Sequence, residues 1–248
     1  MTLPHLSVNK MYFMLYFRIN KLYLLYFIFG FIFITPIGTI LHEYGHIIVA
    51  QLNGYTTKLH YGSMSYTNEI REKVHELYNE NVHEIENNLS FKNKTEYYSL
   101  LKEFNQDSLM IYSGGILQTI MIGTISFIIL LFKKSKNKSL SAIDWVLVFL
   151  SLFWLREVFI LLSGIIIGFA SNKDSFFNGD EAYVSSLLGI YKGSLSLTLG
   201  IIGILISSFI AFKIIPKKIR LSFILGGAIG SLIGFFIWMN IAGPYLLP

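Results

Sequence analysis

The sequence of 248 residues contains no cysteine, which excludes disulfide bonds and thiolate metal sites. Any metal in this chain must therefore be held by histidine and carboxylate side chains. Charged residues are also scarce: Asp, Glu, Lys and Arg make up 14% of the chain, against about 25% in an ordinary soluble domain. Hydrophobic residues reach 53%, and the mean hydropathy is +0.56. This composition excludes a soluble enzyme and a disordered chain, and it predicts a polytopic membrane protein.

Five apolar runs are long enough to span a bilayer, which requires about 20 residues. They cover residues 22–52, 108–132, 143–170, 194–212 and 221–247. The expected fold is all-α, with about five transmembrane helices. Residues 1–21 are expected to form an interfacial tail, 22–53 the first transmembrane helix, 54–107 a soluble insertion, and 108–248 the other four helices, with a metal-site loop near 171–190.

The charges between these runs predict the orientation of the chain. The N-terminal tail and the loops after the second and fourth runs contain Lys or Arg and no Asp or Glu. Residues 54–107 contain six basic and nine acidic residues, and residues 171–193 contain two basic and three acidic residues. The positive-inside rule then predicts a cytoplasmic N-terminus, with the insertion and the C-terminus on the other side. Because the basic residues are explained in this way, we expect membrane lipid as a partner and no nucleic acid.

The insertion 54–107 has two different patterns. Its first part is rich in Tyr and Thr with turn residues at intervals, which predicts a short β-hairpin. From residue 68 to residue 105 apolar residues recur at helical spacing, which predicts two amphipathic helices interrupted near 87–93.

The first apolar run contains a single charged residue, Glu43, in the segment His42-Glu43-Tyr44-Gly45-His46. Positions i and i+4 share one face of a helix, so both imidazoles can bind one metal ion. This is the H-E-x-x-H arrangement, which supplies two zinc ligands and a general base. Zinc lowers the pKa of bound water toward about 7, and Glu43 would accept the proton during attack on a carbonyl. Burying these polar groups among apolar residues favours a metal site over three residues that merely bond neighbouring helices.

Two histidines leave a catalytic zinc ion one protein ligand short. The residues that can supply the third ligand are Asp180, Glu181, Glu157, His60, His75 and His83. Asp180 is preferred because it follows the third run, on the side of the membrane where the HEYGH segment ends. Its alternative role is that of a helix N-cap or of an acidic residue in a loop. Glu157 is expected to lie too deep, and the histidines of the insertion are expected to be solvated.

Arg156 and Glu157 are adjacent in the third run, and their side chains should point about 100° apart on a helix. We therefore expect that they do not pair with each other. Arg156, Glu157 and Glu181 are candidates for groups that support the metal ligands. Arg156 is alternatively an oxyanion-stabilising group or part of a salt bridge inside the bundle.

Two further features concern helix geometry. Pro36 precedes His42 by six residues, and it predicts either a kink or the start of a new helix. Gly226, Gly230 and Gly234 form a stripe of small residues in the fifth run. Such a stripe permits close packing within the chain, or alternatively a homo-oligomer face.

The segment His42–His46, with Gly45 and the apolar residues 47–50 after it, resembles the site-2 protease family of membrane-embedded zinc metalloproteases. Residues 113–118 (SGGILQ) are similar to a glycine-containing turn that leads into the family's next core helix. Residues 178–182 (NGDEA) are similar to the segment that carries the family's aspartate ligand. The resemblance extends loosely over residues 30–190. It implies a zinc metalloendopeptidase with ligands His42, His46 and Asp180, the base Glu43, and a peptide or transmembrane protein as substrate.

The alternative is a non-proteolytic membrane scaffold or regulator that retains the zinc-binding fold. The presence of Glu43 favours the peptidase, because a structural zinc site needs no general base. The departures of SGGILQ from the family pattern favour the scaffold. A CAAX-type membrane protease is disfavoured, because its paired-glutamate motif is absent from the sequence.

Overall fold

A computed structural model describes residues 19–133, 140–171 and 177–248. The helices are α1 (Lys21–Leu52), α2 (Glu69–Glu80), α3 (Val82–Glu86), α4 (Lys94–Phe132), α5 (Ala142–Ser151), α6 (Leu155–Ser171), α7 (Asp180–Leu187), α8 (Ser194–Phe209), α9 (Lys217–Ile237) and α10 (Gly243–Leu246). Strands β1 (Thr56–Leu59) and β2 (Met64–Thr67) pair as an antiparallel hairpin. A 3₁₀ turn joins α5 to α6, and π-helical turns follow α8 and α9.

Within the described ranges, five helical segments are long and apolar enough to cross a membrane. They are Lys21–Leu52, Lys94–Phe132, Ala142–Ala170, Ser194–Ile214 and Lys217–Leu246. The predicted all-α polytopic fold with about five transmembrane helices and a small hairpin is therefore confirmed. Most of the expected interfacial tail (1–18), the basic loop 134–139 and residues 172–176 of the expected metal-site loop lie outside the described residues.

The second transmembrane helix begins earlier than the apolar run suggests. Helix α4 extends without a break from Lys94 to Phe132, because neither glycine nor proline interrupts residues 94–112. The second amphipathic helix and the second membrane helix are thus one element, and the boundary drawn at residue 108 lies inside it. Residues 113–118 are helical as well, so the expected turn at SGGILQ is wrong. Helix α2 packs on the first part of α4, where Val74 and Leu77 contact Tyr97.

Helix α1 lies between α4 and α9. A Cβ atom at Gly226 would lie 2.7 Å from Phe27 Cβ, and one at Gly230 would lie 2.5 Å from the carbonyl oxygen of Ile28. One turn further on, a Cβ atom at Gly234 would lie 2.9 Å from Ile32 Cα of α1. The glycine stripe of α9 is therefore covered by α1 within the chain, which is the first of its two predicted uses. Helix α1 is continuous through Pro36, so the interpretation that a new helix starts there is wrong.

Candidate metal centre

The structure brings together His42 and His46 of α1 and Asp180 at the start of α7. Their ligand atoms all lie within 4.8 Å of one another, and the group can hold a metal ion. The two Nε2 atoms are 3.0 Å apart, and Asp180 Oδ2 lies 2.8 Å from His42 Nε2 and 3.3 Å from His46 Nε2. Both histidines are buried. Residues 138 positions apart in sequence thus form one compact triangle of ligand atoms.

The dimensions of this triangle fit a single tetrahedral ion. Ligand atoms bound at about 2.0 Å with tetrahedral angles stand about 3.3 Å apart. The three separations in this structure run from 2.8 to 3.3 Å, so a small expansion is enough to admit the ion. Two imidazoles and one carboxylate are also a donor set that zinc takes in catalytic sites, which keep a fourth position open.

Helix α4 orients both imidazoles through their other ring nitrogen. His46 Nδ1 donates to the carbonyl oxygen of Ile111 at 2.8 Å, and His42 Nδ1 forms a 2.9 Å hydrogen bond with Thr119 Oγ1. A carbonyl can only accept, so His46 Nδ1 carries a proton, and in the neutral ring Nε2 presents its lone pair to the centre. Such outer partners fix the ring orientation of metal-binding histidines. Sequence reasoning missed both partners, because a backbone carbonyl leaves no residue signature and Thr119 is 77 positions from His42.

Glycines allow α1 and α4 to touch at this level. A Cβ atom at Gly45 would lie 2.5 Å from the carbonyl oxygen of Gly114, and a Cβ atom at Gly114 would lie equally close to that of Gly45. Gly115 faces both imidazoles, and a Cβ atom there would lie 2.7 Å from His42 Cε1. The glycines of SGGILQ therefore make room for the HEYGH segment at a helix crossing, in the manner of small-residue contacts between membrane helices.

Asp180 is the first residue of α7 and is preceded by Gly179, whose φ of +87° favours glycine. The N-cap is Gly179, so the N-cap alternative for Asp180 is wrong. Burial alone would raise the pKa of Asp180, but its contacts with the two histidines and the charge of Arg156 outweigh burial and hold the pKa below its usual range. The side chain is therefore a carboxylate, the form that binds a metal.

Arg156 links the ligand triangle to two other acidic residues. Its Nη1 atom donates to Glu181 Oε1 at 2.6 Å and to Glu157 Oε1 at 3.2 Å. Its Nη2 atom donates to Asp180 Oδ2 at 2.9 Å and lies 2.8 Å from His42 Nε2. The expectation that Arg156 and Glu157 do not pair is wrong, because the long arginine side chain reaches across the angle between neighbouring positions. The three candidates for supporting groups therefore form an ion cluster next to the ligands.

The charge of this region also suits a cation. Glu43, Glu157 and Glu181 are buried, and Asp180 is 19% exposed. Arg156 is the basic residue that the described contacts place against three of these groups, Glu157, Asp180 and Glu181. An ionised carboxyl group that is buried requires a compensating charge, and a divalent cation would offset a carboxylate that Arg156 leaves uncompensated.

A cavity of about 380 Å³ adjoins the centre. Its polar lining includes His42, Glu43, Thr119 and Arg156, together with the hydroxyl residues Thr35, Thr39 and Ser231. The remaining wall is mainly apolar and comes from α1, α5, α6 and α9, with rings contributed by Phe31, Phe149, Phe153, Phe159 and Phe235. Glu43 therefore lies beside the metal ligands on the wall of a space that can admit an apolar molecule.

The other residues considered as third ligand lie outside the triangle. Glu181 and Glu157 bind Arg156. His60 contacts Ser65 of the hairpin, and His75 and His83 are exposed on α2 and α3.

Comparison of the chain with protein-family models, curated proteins and solved structures found no match.

Proposed function

We propose that this protein is a membrane-embedded zinc metallopeptidase that hydrolyses a peptide bond within or beside the membrane. The observation that carries the proposal is the convergence of His42, His46 and Asp180 on one point, with Glu43 on the wall of the adjoining cavity. The resemblance of the HEYGH segment to the site-2 protease family supports the same reaction.

Each residue of the site has a separate role in the proposed reaction. Zinc held by the triangle would act as a Lewis acid and lower the pKa of a coordinated water from 15.7 toward about 7. The ligand group consists of His42, His46 and Asp180, so Glu43 is available as the general base. It accepts the proton of the attacking water and later delivers it to the amine leaving group.

The cavity supports an apolar substrate. Its volume of about 380 Å³ lies within the range of about 300–1,000 Å³ typical of ligand pockets, and aromatic rings form much of its wall. An apolar side chain of a peptide or of a transmembrane segment suits such a space. A helical substrate must unwind at the cleavage site, because helical carbonyls are already hydrogen-bonded along the chain.

The proposed orientation places the centre near the non-cytoplasmic face. Helix α1 begins at Lys21, and His42 lies 21 residues further on, a rise of about 31 Å at 1.5 Å per residue. The basic tail would lie in the cytoplasm, and the insertion 54–107 and the C-terminus would lie on the opposite side. Substrate would then be cut close to the outer membrane–water interface.

One observation favours a second candidate function. Arg156 Nη2 lies within hydrogen-bond distance of two of the three ligand atoms, His42 Nε2 and Asp180 Oδ2. A guanidinium can therefore take part in holding α1 to α7. In a non-proteolytic scaffold or regulator, Arg156 would provide this cation in place of a metal, and Glu43 would have no chemical task.

Metal analysis combined with a cleavage assay tests the proposal. We expect about one zinc per chain in detergent-purified protein, and chelator-sensitive cleavage of the unfolded apolar protein β-casein. His46→Ala should lose zinc binding and cleavage. The matched variant His75→Ala, at an exposed position of α2, should retain zinc binding and cleavage. Wild-type protein that binds no zinc, even when zinc is supplied, would contradict the peptidase and favour the scaffold.

A further inference from the structure

We propose that Arg156 is a catalytic residue that binds the substrate carbonyl oxygen and the negative charge that develops on it. This inference rests on the proposed peptidase function and names a residue for a step that the zinc ligands and Glu43 leave unassigned. As the water oxygen bonds to the carbonyl carbon, the π electron pair moves to the carbonyl oxygen and Glu43 takes the proton. When the C=O bond reforms, the C–N bond breaks and the amine nitrogen takes that proton. The oxyanion between these steps needs a positive partner.

The position of the guanidinium provides that partner. Arg156 Nη2 is 2.9 Å from Asp180 Oδ2 and 2.8 Å from His42 Nε2, so it lies at the edge of the ligand triangle. An imidazole Nε2 has one lone pair, and that pair cannot bind a metal and accept a hydrogen bond at the same time. A metal on His42 would therefore leave one N–H of Nη2 without its acceptor, so that this N–H could donate to the carbonyl oxygen of a substrate bound beside the metal.

Two buried glutamates hold the Arg156 guanidinium in place, as is required of a preorganised hydrogen-bond donor. Glu157 and Glu181 are both 0% exposed, and they accept hydrogen bonds from Nη1, whereas Nη2 contacts the ligand atoms. The Arg156 side chain is 25% exposed, and it lines the same cavity as Glu43. The two glutamates are thus positioning residues that hold a permanently charged guanidinium against the cavity. A fixed donor in a largely apolar site stabilises an oxyanion more than the same donor in water does.

A purely structural ion cluster accounts less well for these contacts. Burying ions costs desolvation energy that only complete pairing offsets. The Oε2 atoms of Glu157 and of Glu181 are buried and lack a hydrogen-bond partner among the described residues, although Arg156 is adjacent. Arg156 instead directs Nη2 toward the ligand atoms, which is the arrangement that an oxyanion-binding group requires.

The test uses a tetrahedral oxyanion and the protein with its metal. Inorganic phosphate is titrated calorimetrically into zinc-loaded wild-type protein, Arg156→Gln and Arg156→Lys. We expect zinc content to stay at one per chain and phosphate affinity to fall at least about 10-fold in Arg156→Gln. Arg156→Lys should lie between the two, because lysine keeps the charge but not the planar pair of donors. With β-casein, kcat should fall by about 10²–10³ in Arg156→Gln while KM changes little.

Arg220→Gln is the matched control. Arg220 donates to the backbone carbonyls of Phe212 and Ile215 after α8, so its loss should change neither phosphate affinity nor zinc content. Unchanged phosphate affinity in zinc-loaded Arg156→Gln would overturn the role of Arg156 and leave the peptidase proposal intact. Loss of zinc from both Arg156 variants would show a structural role and would also overturn it. Failure of wild-type protein to bind zinc would overturn both proposals together.

Discussion

A Cβ atom at Gly115 would overlap the Nε2 atom of His46, so α4 has no room for a side chain where it passes the candidate metal centre. The same atom would lie 2.7 Å from His42 Cε1. Both imidazoles thus pack on bare backbone, one turn from the Ile111 carbonyl that accepts from His46 Nδ1. The helix crossing and the ligand geometry therefore depend on the same glycine.

Gly115→Ala should displace both imidazoles and lower zinc content well below one per chain. Overpacking of this kind costs about 1–3 kcal/mol, so the melting temperature in detergent should fall as well. Gly38→Ala is the matched control, because a Cβ atom at Gly38 of α1 would meet Phe153 at an ordinary 3.6 Å. That variant should keep its zinc and its melting temperature. Full zinc content in Gly115→Ala would contradict the packing described for this crossing.

Glu43→Gln should retain zinc, because Glu43 is not one of the three grouped ligands. Cleavage of β-casein should fall by about 10² or more, the usual effect of removing a positioned general base. Glu80→Gln, at an exposed position of α2, is the control and should cleave normally. A melting temperature measured on the same samples separates lost chemistry from lost fold. Wild-type turnover by Glu43→Gln would end the peptidase proposal.

Thr119→Val should weaken zinc binding by about 10–100-fold, the usual effect of removing a partner that orients a metal-binding histidine. The variant keeps the shape of the side chain but removes the hydroxyl that bonds His42 Nδ1. Zinc affinity is measured by competition with a chromogenic chelator. Thr124→Val is the control on the same helix, since it removes the acceptor of Trp154 Nε1 away from the ligands. Equal zinc affinities in the two variants would argue against this role of Thr119.

Gly38→Leu should narrow the cavity beside Glu43, since Gly38 forms part of its wall. Peptide mapping of β-casein digests by mass spectrometry should show cleavage next to bulky apolar residues for the wild type. The variant should keep its zinc and shift toward sites with smaller side chains. An unchanged cleavage pattern would show that the cavity does not receive a substrate side chain.

Residues 54–107 should lie on the opposite side of the membrane from the link between the fourth and fifth transmembrane helices. The sequence has no cysteine, so single cysteines give an unambiguous signal. Lys92→Cys in the insertion and Lys218→Cys at the start of α9 are both at exposed positions. In intact right-side-out vesicles, a membrane-impermeant maleimide should label Lys92→Cys alone. Labelling of both cysteines in such vesicles would contradict the five-span topology.

Part of the candidate centre could be predicted from the sequence for a physical reason. His42, Glu43 and His46 interrupt an apolar run in which each polar group carries a desolvation cost, so their presence there calls for an explanation. The sequence favours Asp180 as the third ligand, because it falls on the same side of the membrane as the end of the HEYGH segment. In the structure Asp180 lies next to both histidines. The prediction that Arg156 and Glu157 do not pair is wrong, because the angle between helix positions takes no account of the reach of a long side chain.

The membrane class, the five apolar helices and the pair of imidazoles on one helical face could all be predicted from the sequence. These properties follow from composition and from periodicity within single segments, which depend on local residues. Three other features could be seen only in the folded chain: Gly115 of α4 faces His46, Thr119 and Ile111 orient the imidazoles, and α9 packs on α1 through its glycines. Such contacts join residues tens to hundreds of positions apart. They depend on how closely two backbones can approach, a quantity that no single segment of the sequence contains.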